Sequence, residues 1–197
     1  MIRWILLKLV GIFLPSLISK AVRPTSKKNS SNPLNIEFKV VDKELGDKIP
    51  FPSFSTSGSA ALDLRTNIKQ NKILVPGETF LFSTGFAIHI NNSKYAAFIL
   101  PRSGLGHKNG IVLGNLIGLI DSDYQGEIRV SLWNRSNEPF EISPGDRIAQ
   151  MMFIEITSPN FKIVSDFASS ERGGKGFGSS GRKYNNLKKL KPKFFFS

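Results

Sequence analysis

Cysteine is absent from the 197 residues. That excludes disulfides, cysteine-ligated zinc, iron–sulfur clusters and thiol catalysis. Histidine is scarce: His89 and His107 are the only two, too few for an all-histidine metal site. A metal, where one is used, is then a hard cation held by oxygens. Long uncharged apolar runs are missing as well. The apolar N-terminus, MIRWILLKLVGIFLPSLISK, is interrupted by Arg3, Lys8, Pro15 and Lys20, and its run Leu9–Ser19 has 11 residues. A bilayer-spanning helix needs ~20.

Acidic residues are absent from both ends. Residues 1–36 carry six Lys or Arg and residues 183–197 carry five Lys, neither with an acid. The stretch between them holds 16 basic and 15 acidic residues, so the +12 net charge sits in two tails around a nearly neutral middle. A fold with a basic nucleic-acid-binding face is therefore not expected. The tails retain a weak, salt-sensitive attraction for anionic polymers or membranes.

Three readings fit the first 35 residues. The apolar run suits the core of a secretory signal, with Ser19-Lys20-Ala21 as a poor cleavage site. The acid-free leader with Arg and Ser also suits an organellar transit peptide. The third reading is an extension with no targeting role, which leaves the protein cytoplasmic. Residues 24–33 read as a solvated linker. The segment 173–181 contains five glycines and has little to bury. The expected division is an extension over 1–35, a β domain over 36–170, an arm over 171–182 and a basic tail over 183–197 that ends in three phenylalanines.

What the middle does contain is a series of short strand signals. They are Ile36–Val41, Lys72–Val75, Thr79–Ile90 with a break at Thr84-Gly85, Tyr95–Leu100, Ile111–Ile120, Glu127–Trp133, Phe140–Ile142 and Ile148–Ile156. Pro76-Gly77 and Pro144-Gly145 mark turns. In Glu127–Trp133, Ile128, Val130 and Leu132 share one face, the alternation of a half-buried strand. No long stretch has helical spacing. The expectation is an all-β jelly roll or barrel.

Five segments depart from strand logic. In Gly58–Leu64, Asp63 sits among apolar neighbours and needs a partner such as an arginine, unless it is a turn aspartate. In Pro101–Gly110, Arg102, Ser103 and Gly104 follow a strand; the segment suits an anion, or it is a plain glycine turn. In Gly114–Glu127, Asp121 stands where a strand leaves the core, placed as a general base toward water or as a turn cap. Asn115 and Asp121 bracket a hairpin edge that offers backbone groups to a planar base. In Pro144–Phe153, Asp146 and Arg147 read as an ion pair, and Gln150 is an unexpected polar residue before an apolar run. In Glu171–Gly181, Phe177 lies in a glycine–serine arm and suits stacking on a flat ligand, with Arg172 as an anion clamp.

In this order the five segments resemble the motifs of the trimeric deoxyuridine triphosphate nucleotidohydrolases, the dUTPases, and most of all the bacterial members. The resemblance covers roughly residues 36–182. One departure is Ala61, where the family usually has glycine before Leu-Asp-Leu. The resemblance implies a jelly-roll subunit in a homotrimer whose active sites each draw on three chains. It implies conversion of dUTP and water to dUMP and pyrophosphate, which limits uracil incorporation into DNA and supplies dUMP. It implies Mg²⁺ held mainly by substrate phosphates and water, with no direct protein ligand.

The same resemblance implies residue roles. Asp121 activates the water. Ser103, Gly104, Gln150, Arg172, Gly178 and Ser179 meet the phosphates, and Arg102 positions the site through Asp63. Asn115, Leu119, Ile120 and Asp121 contact the uracil edge. Tyr124 packs on the deoxyribose, Phe177 covers the base, and Arg129 borders the nucleotide. Two rivals stay open. A related dCTP deaminase would release ammonia from dCTP. A non-catalytic polynucleotide binder using the basic tails would show salt-sensitive binding without turnover. Specific nucleic-acid or membrane partners are not expected.

Overall fold

The computed structural model describes residues 34–170 and 172–174. The leader, Phe177, Gly178, Ser179 and the Lys/Phe tail lie outside these residues. The chain divides into two compact units, one ending at Ser158 and one beginning at Pro159.

The first unit is built from strands. In chain order they are β1 (Glu37–Val40), β2 (Ser53–Phe54), β3 (Leu62–Arg65), β4 (Lys72–Leu74), β5 (Thr79–His89) and β6 (Tyr95–Pro101). A short helix α1 (Ser103–Asn109) follows, then β7 (Ile111–Leu113), β8 (Gly118–Ile120), β9 (Glu127–Asn134), β10 (Phe140–Ile142) and β11 (Arg147–Glu155). One sheet has the order β1-β5-β9-β7 and the other β2-β3-β11-β6-β8; β4 and β10 form a two-stranded ribbon. Every pairing between these strands is antiparallel.

The alternation read in β9 is realised. Ile128, Val130 and Leu132 point into a core that they share with Phe82 and Phe86 of β5, Leu62 and Leu64 of β3, and Ile148 and Met151 of β11. Burial of such side chains contributes roughly 1.5–3 kcal/mol each. Both sheets thus close on a single apolar interior, which fixes the positions of the polar loops at their edges.

The break expected at Thr84-Gly85 is a bulge inside one continuous strand. Pairing of β5 with β9 shifts register between Ser83 and Ala87. Gly85 has φ of 78°, and a Cβ there would strike the Asn67 side chain. Only glycine meets both demands.

Three expectations are corrected. Ile111–Ile120 is not one strand: β7 and β8 belong to different sheets, divided at Gly114–Ile117. Leu62–Arg65 is a strand, buried at Leu62 and Leu64. Residues after Arg102 form α1 rather than an open loop. Among the described residues no helix is long and apolar enough to cross a membrane. Within the second unit, Phe161, Ile163 and Phe167 are exposed.

Candidate active site

The candidate residues of the first unit gather in two places. The first is the junction of β3, β11 and β6. Asp63 on β3 lies opposite Gln150 on β11, and Gln150 lies opposite Leu100 on β6. The Asp63 carboxylate accepts from Ser55 Oγ at 2.6 Å and from Arg147 Nη1 at 3.2 Å, and Arg102 Nε stands 3.5 Å from its other oxygen. Arg102 Nη1 also donates to the Arg147 carbonyl at 3.0 Å. Gln150 Nε2 donates to the Pro101 carbonyl at 3.1 Å.

Asp63 therefore holds two arginines at once. The expected Asp146–Arg147 ion pair does not form: Arg147 turns to Asp63, and Asp146 accepts from the Ser143 backbone N–H at 2.8 Å. Two guanidinium groups against one carboxylate leave an excess positive charge here, suited to an anion. Ser103 is exposed at the start of α1, and a Cβ at Gly104 would meet no atom within 4 Å, so open space lies beside it. Ala61 is not among the residues with positive φ, so alanine is accommodated in place of the family's glycine.

The second place is the hairpin around β8. Gly114 N–H donates to the Ser131 carbonyl at 2.9 Å and Ile117 N–H to the Asn115 carbonyl at 2.8 Å. Leu116 between them has φ of 66°. A bulky side chain rarely takes that conformation, and such strain concentrates at functional sites. β8 is the edge of its sheet, so half of its backbone groups face away from β6 and are open to pairing. Gly118 lets it approach β6, where a Cβ would stand 2.9 Å from Ile99 Cβ.

Asp121 leaves the end of β8 and is exposed. Its carbonyl accepts from the Tyr124 N–H at 3.3 Å, and the Tyr124 hydroxyl donates to the Glu127 carbonyl at 3.0 Å. Asn91 N–H donates to the Ser122 carbonyl at 2.9 Å, tying the loop to the end of β5. Asn115 and Leu119 are exposed and Ile120 half-buried.

Arg129 reaches back to Glu127, with Nε 3.1 Å from its carboxylate. Glu127 also accepts from the Ser83 hydroxyl and from the Gly85 N–H. Burial pushes the Glu127 carboxyl up. The donors Ser83, Gly85 and Arg129 outweigh it and hold the group below its ordinary range. Sequence reading missed this carboxylate, along with Ser55 and the role of Arg147. Arg147 lies 84 residues from Asp63 and Ser83 lies 44 from Glu127, separations that no local pattern spans.

The two places lie toward opposite ends of β6. Ile120 lies opposite Ala97, whereas Arg102 follows the far end of β6. Five residues separate Ala97 from Arg102, which at ~3.3 Å per residue is roughly 17 Å. Asp121 continues in the opposite direction. Arg172, the one described residue of the arm that was singled out, belongs to the second unit. Among the described residues no three His, Asp or Glu side chains converge to hold a metal.

Known proteins resemble this chain in sequence and in fold. Residues 47–181 match the dUTPase family model. A deoxyuridine 5'-triphosphate nucleotidohydrolase of Legionella pneumophila is 58% identical over 147 residues, covering 75% of this chain and 97% of the relative. The enzyme of that name from Hahella chejuensis is 59% identical over 145 residues, covering 74% and 95%. A Staphylococcus bacteriophage 80alpha dUTPase mutant with bound dUpNHpp is 26% identical, with a TM-score of 0.65, covering 76% of this chain and 99% of that one.

Proposed function

The chain belongs to the dUTPase family, and on that premise we propose that it hydrolyses dUTP to dUMP and pyrophosphate in sites shared between three copies of a jelly-roll subunit. One observation carries the shared site. The exposed carboxylate of Asp121 and the cationic end at Arg102, Ser103 and Gln150 lie at opposite ends of β6. Each is half of an active site, and each is open. A neighbouring copy supplies the missing half.

The chemistry follows from these groups. Asp121 takes a proton from water, and the water oxygen attacks the α-phosphorus. The bond from that phosphorus to the bridging oxygen breaks, and pyrophosphate leaves. Arg102, Ser103 and Gln150 line the phosphates, aided by Arg172 and by Gly178 and Ser179 of the arm. Their fixed charges and dipoles offset the developing charge. Mg²⁺ bound with the triphosphate would offset part of its charge beside Arg102, Ser103 and Gln150.

The open edge of β8, from Asn115 to Asp121, pairs with the uracil edge. Cytosine presents the reverse donor–acceptor pattern and is rejected by roughly 10⁴–10⁵. The closely packed hairpin leaves no room for the methyl of thymine. Tyr124, anchored at its hydroxyl, presents its ring to the deoxyribose. Phe177 on the arm of a third copy closes over the base and excludes water. Arg129 borders the nucleotide from its ion pair with Glu127.

The test is a nucleotide panel with purified full-length protein and magnesium. Pyrophosphate release from dUTP, far above that from dCTP, dTTP and UTP, is expected. Ammonia release from dCTP, or no turnover of dUTP, would overturn the reading.

A further inference from the structure

One polar cluster takes no part in the scheme above. It lies at the end of β5, beneath the loop that carries Asp121. His89 Nδ1 stands 2.7 Å from a Glu37 carboxylate oxygen, and His89 Nε2 stands 3.4 Å from Gln125 Nε2. A carboxylate only accepts, so Nδ1 carries a proton and donates to Glu37. In the neutral ring Nε2 is then the acceptor, and the Gln125 amide donates to it. Glu37 and His89 are register partners across β1 and β5, which fixes the imidazole over the sheet. The histidine side chain is 22% exposed, and a cleft of about 230 Å³ opens beside it between β1, β5 and Gln125.

Gln125 directly follows Tyr124, and its loop begins at Asp121. The loop's other tie to β5 is the Asn91 N–H to Ser122 carbonyl bond, two residues beyond His89. The imidazole thus forms the side-chain half of a two-point attachment whose other half is backbone. We infer that His89 is a positioning residue: held by Glu37, it orients through Gln125 the 121–126 loop that presents Asp121 and Tyr124. The inference rests on the proposed dUTP hydrolysis for its kinetic consequence and on geometry alone for its structural one.

The experiment compares full-length wild type with His89→Ala, Gln125→Ala and His89→Gln. Amide hydrogen exchange over residues 121–126 is read alongside kcat, KM and thermal midpoint. Expected are faster exchange in His89→Ala and Gln125→Ala and a kcat lower by about three- to tenfold, the size of one lost hydrogen bond, with little change in midpoint. His89→Gln keeps a neutral donor for Glu37 and an acceptor for Gln125. It is expected to recover most of kcat and to restore wild-type exchange over residues 121–126.

Wild-type exchange in both alanine variants would overturn the inference, as would altered exchange with an unchanged kcat. If wild type itself fails to hydrolyse dUTP while exchange responds as expected, the substrate reading fails and the attachment of the loop by His89 stands.

Discussion

Asp121 has little around it: an exposed carboxylate whose backbone, not its side chain, is tied into the loop. Such a group is free to meet water and substrate. Asp121→Asn is expected to cut kcat by about 10²–10⁴ while dUTP still binds, read by steady-state kinetics and calorimetry. Glu127 is the opposite case, a carboxylate held by Ser83, Gly85 and Arg129 against its own burial. Its folded-state ionisation lies below the ordinary value, so its stabilisation is present above the unfolded value and is lost as pH falls through the folded one. Glu127→Gln should lower stability by about 1 kcal/mol at pH 7. The gap from wild type should close as pH falls through the folded-state ionisation of Glu127, followed by thermal melts across pH. At this scale the sequence exposes chemistry and conceals partnership. Asp63 announces its need for a cation by its apolar neighbours. Which arginine answers is settled by the pairing of β3 with β11 and of β11 with β6.

Elements with strong alternation or turn punctuation were readable from the chain. β9 alternates, and the Pro-Gly pairs ahead of β5 and β11 mark their turns. Elements whose residues serve two purposes were not. Leu62–Arg65 reads as part of a chemical motif because Asp63 interrupts it, although Leu62 and Leu64 carry a strand's inward face. α1 spans only seven residues and contains two glycines, so it offers neither period nor propensity. The run Ile111–Ile120 is apolar except for Asn115, and only tertiary pairing divides it between two sheets. That division matters, because it leaves β8 as an edge. Gly118→Ala should push β8 away from Ile99 and misplace the uracil-pairing edge. KM for dUTP is expected to rise by roughly tenfold or more, with far-UV circular dichroism unchanged.

In the proposed trimer, three copies together supply what no single copy can. Its near-neutral domain presents a cationic junction at one end of β6 and the Asp121 loop beyond the other. Sequence motifs gave both halves of the site, but not their separation, because a linear motif order is silent on which end of a strand faces which. The proposed closed three-fold arrangement would bring unlike ends together at each of its equivalent contacts.

Subunit complementation tests this arrangement most directly. Asp121→Asn and Arg102→Ala chains, each inactive by itself, are refolded together in equal amounts and assayed on dUTP. Random mixing places an intact Asp121 beside an intact Arg102 of another copy in about one site in four, so about a quarter of wild-type activity is predicted. A mixture as inactive as its components would contradict the account, since it would mean that both residues must come from the same chain.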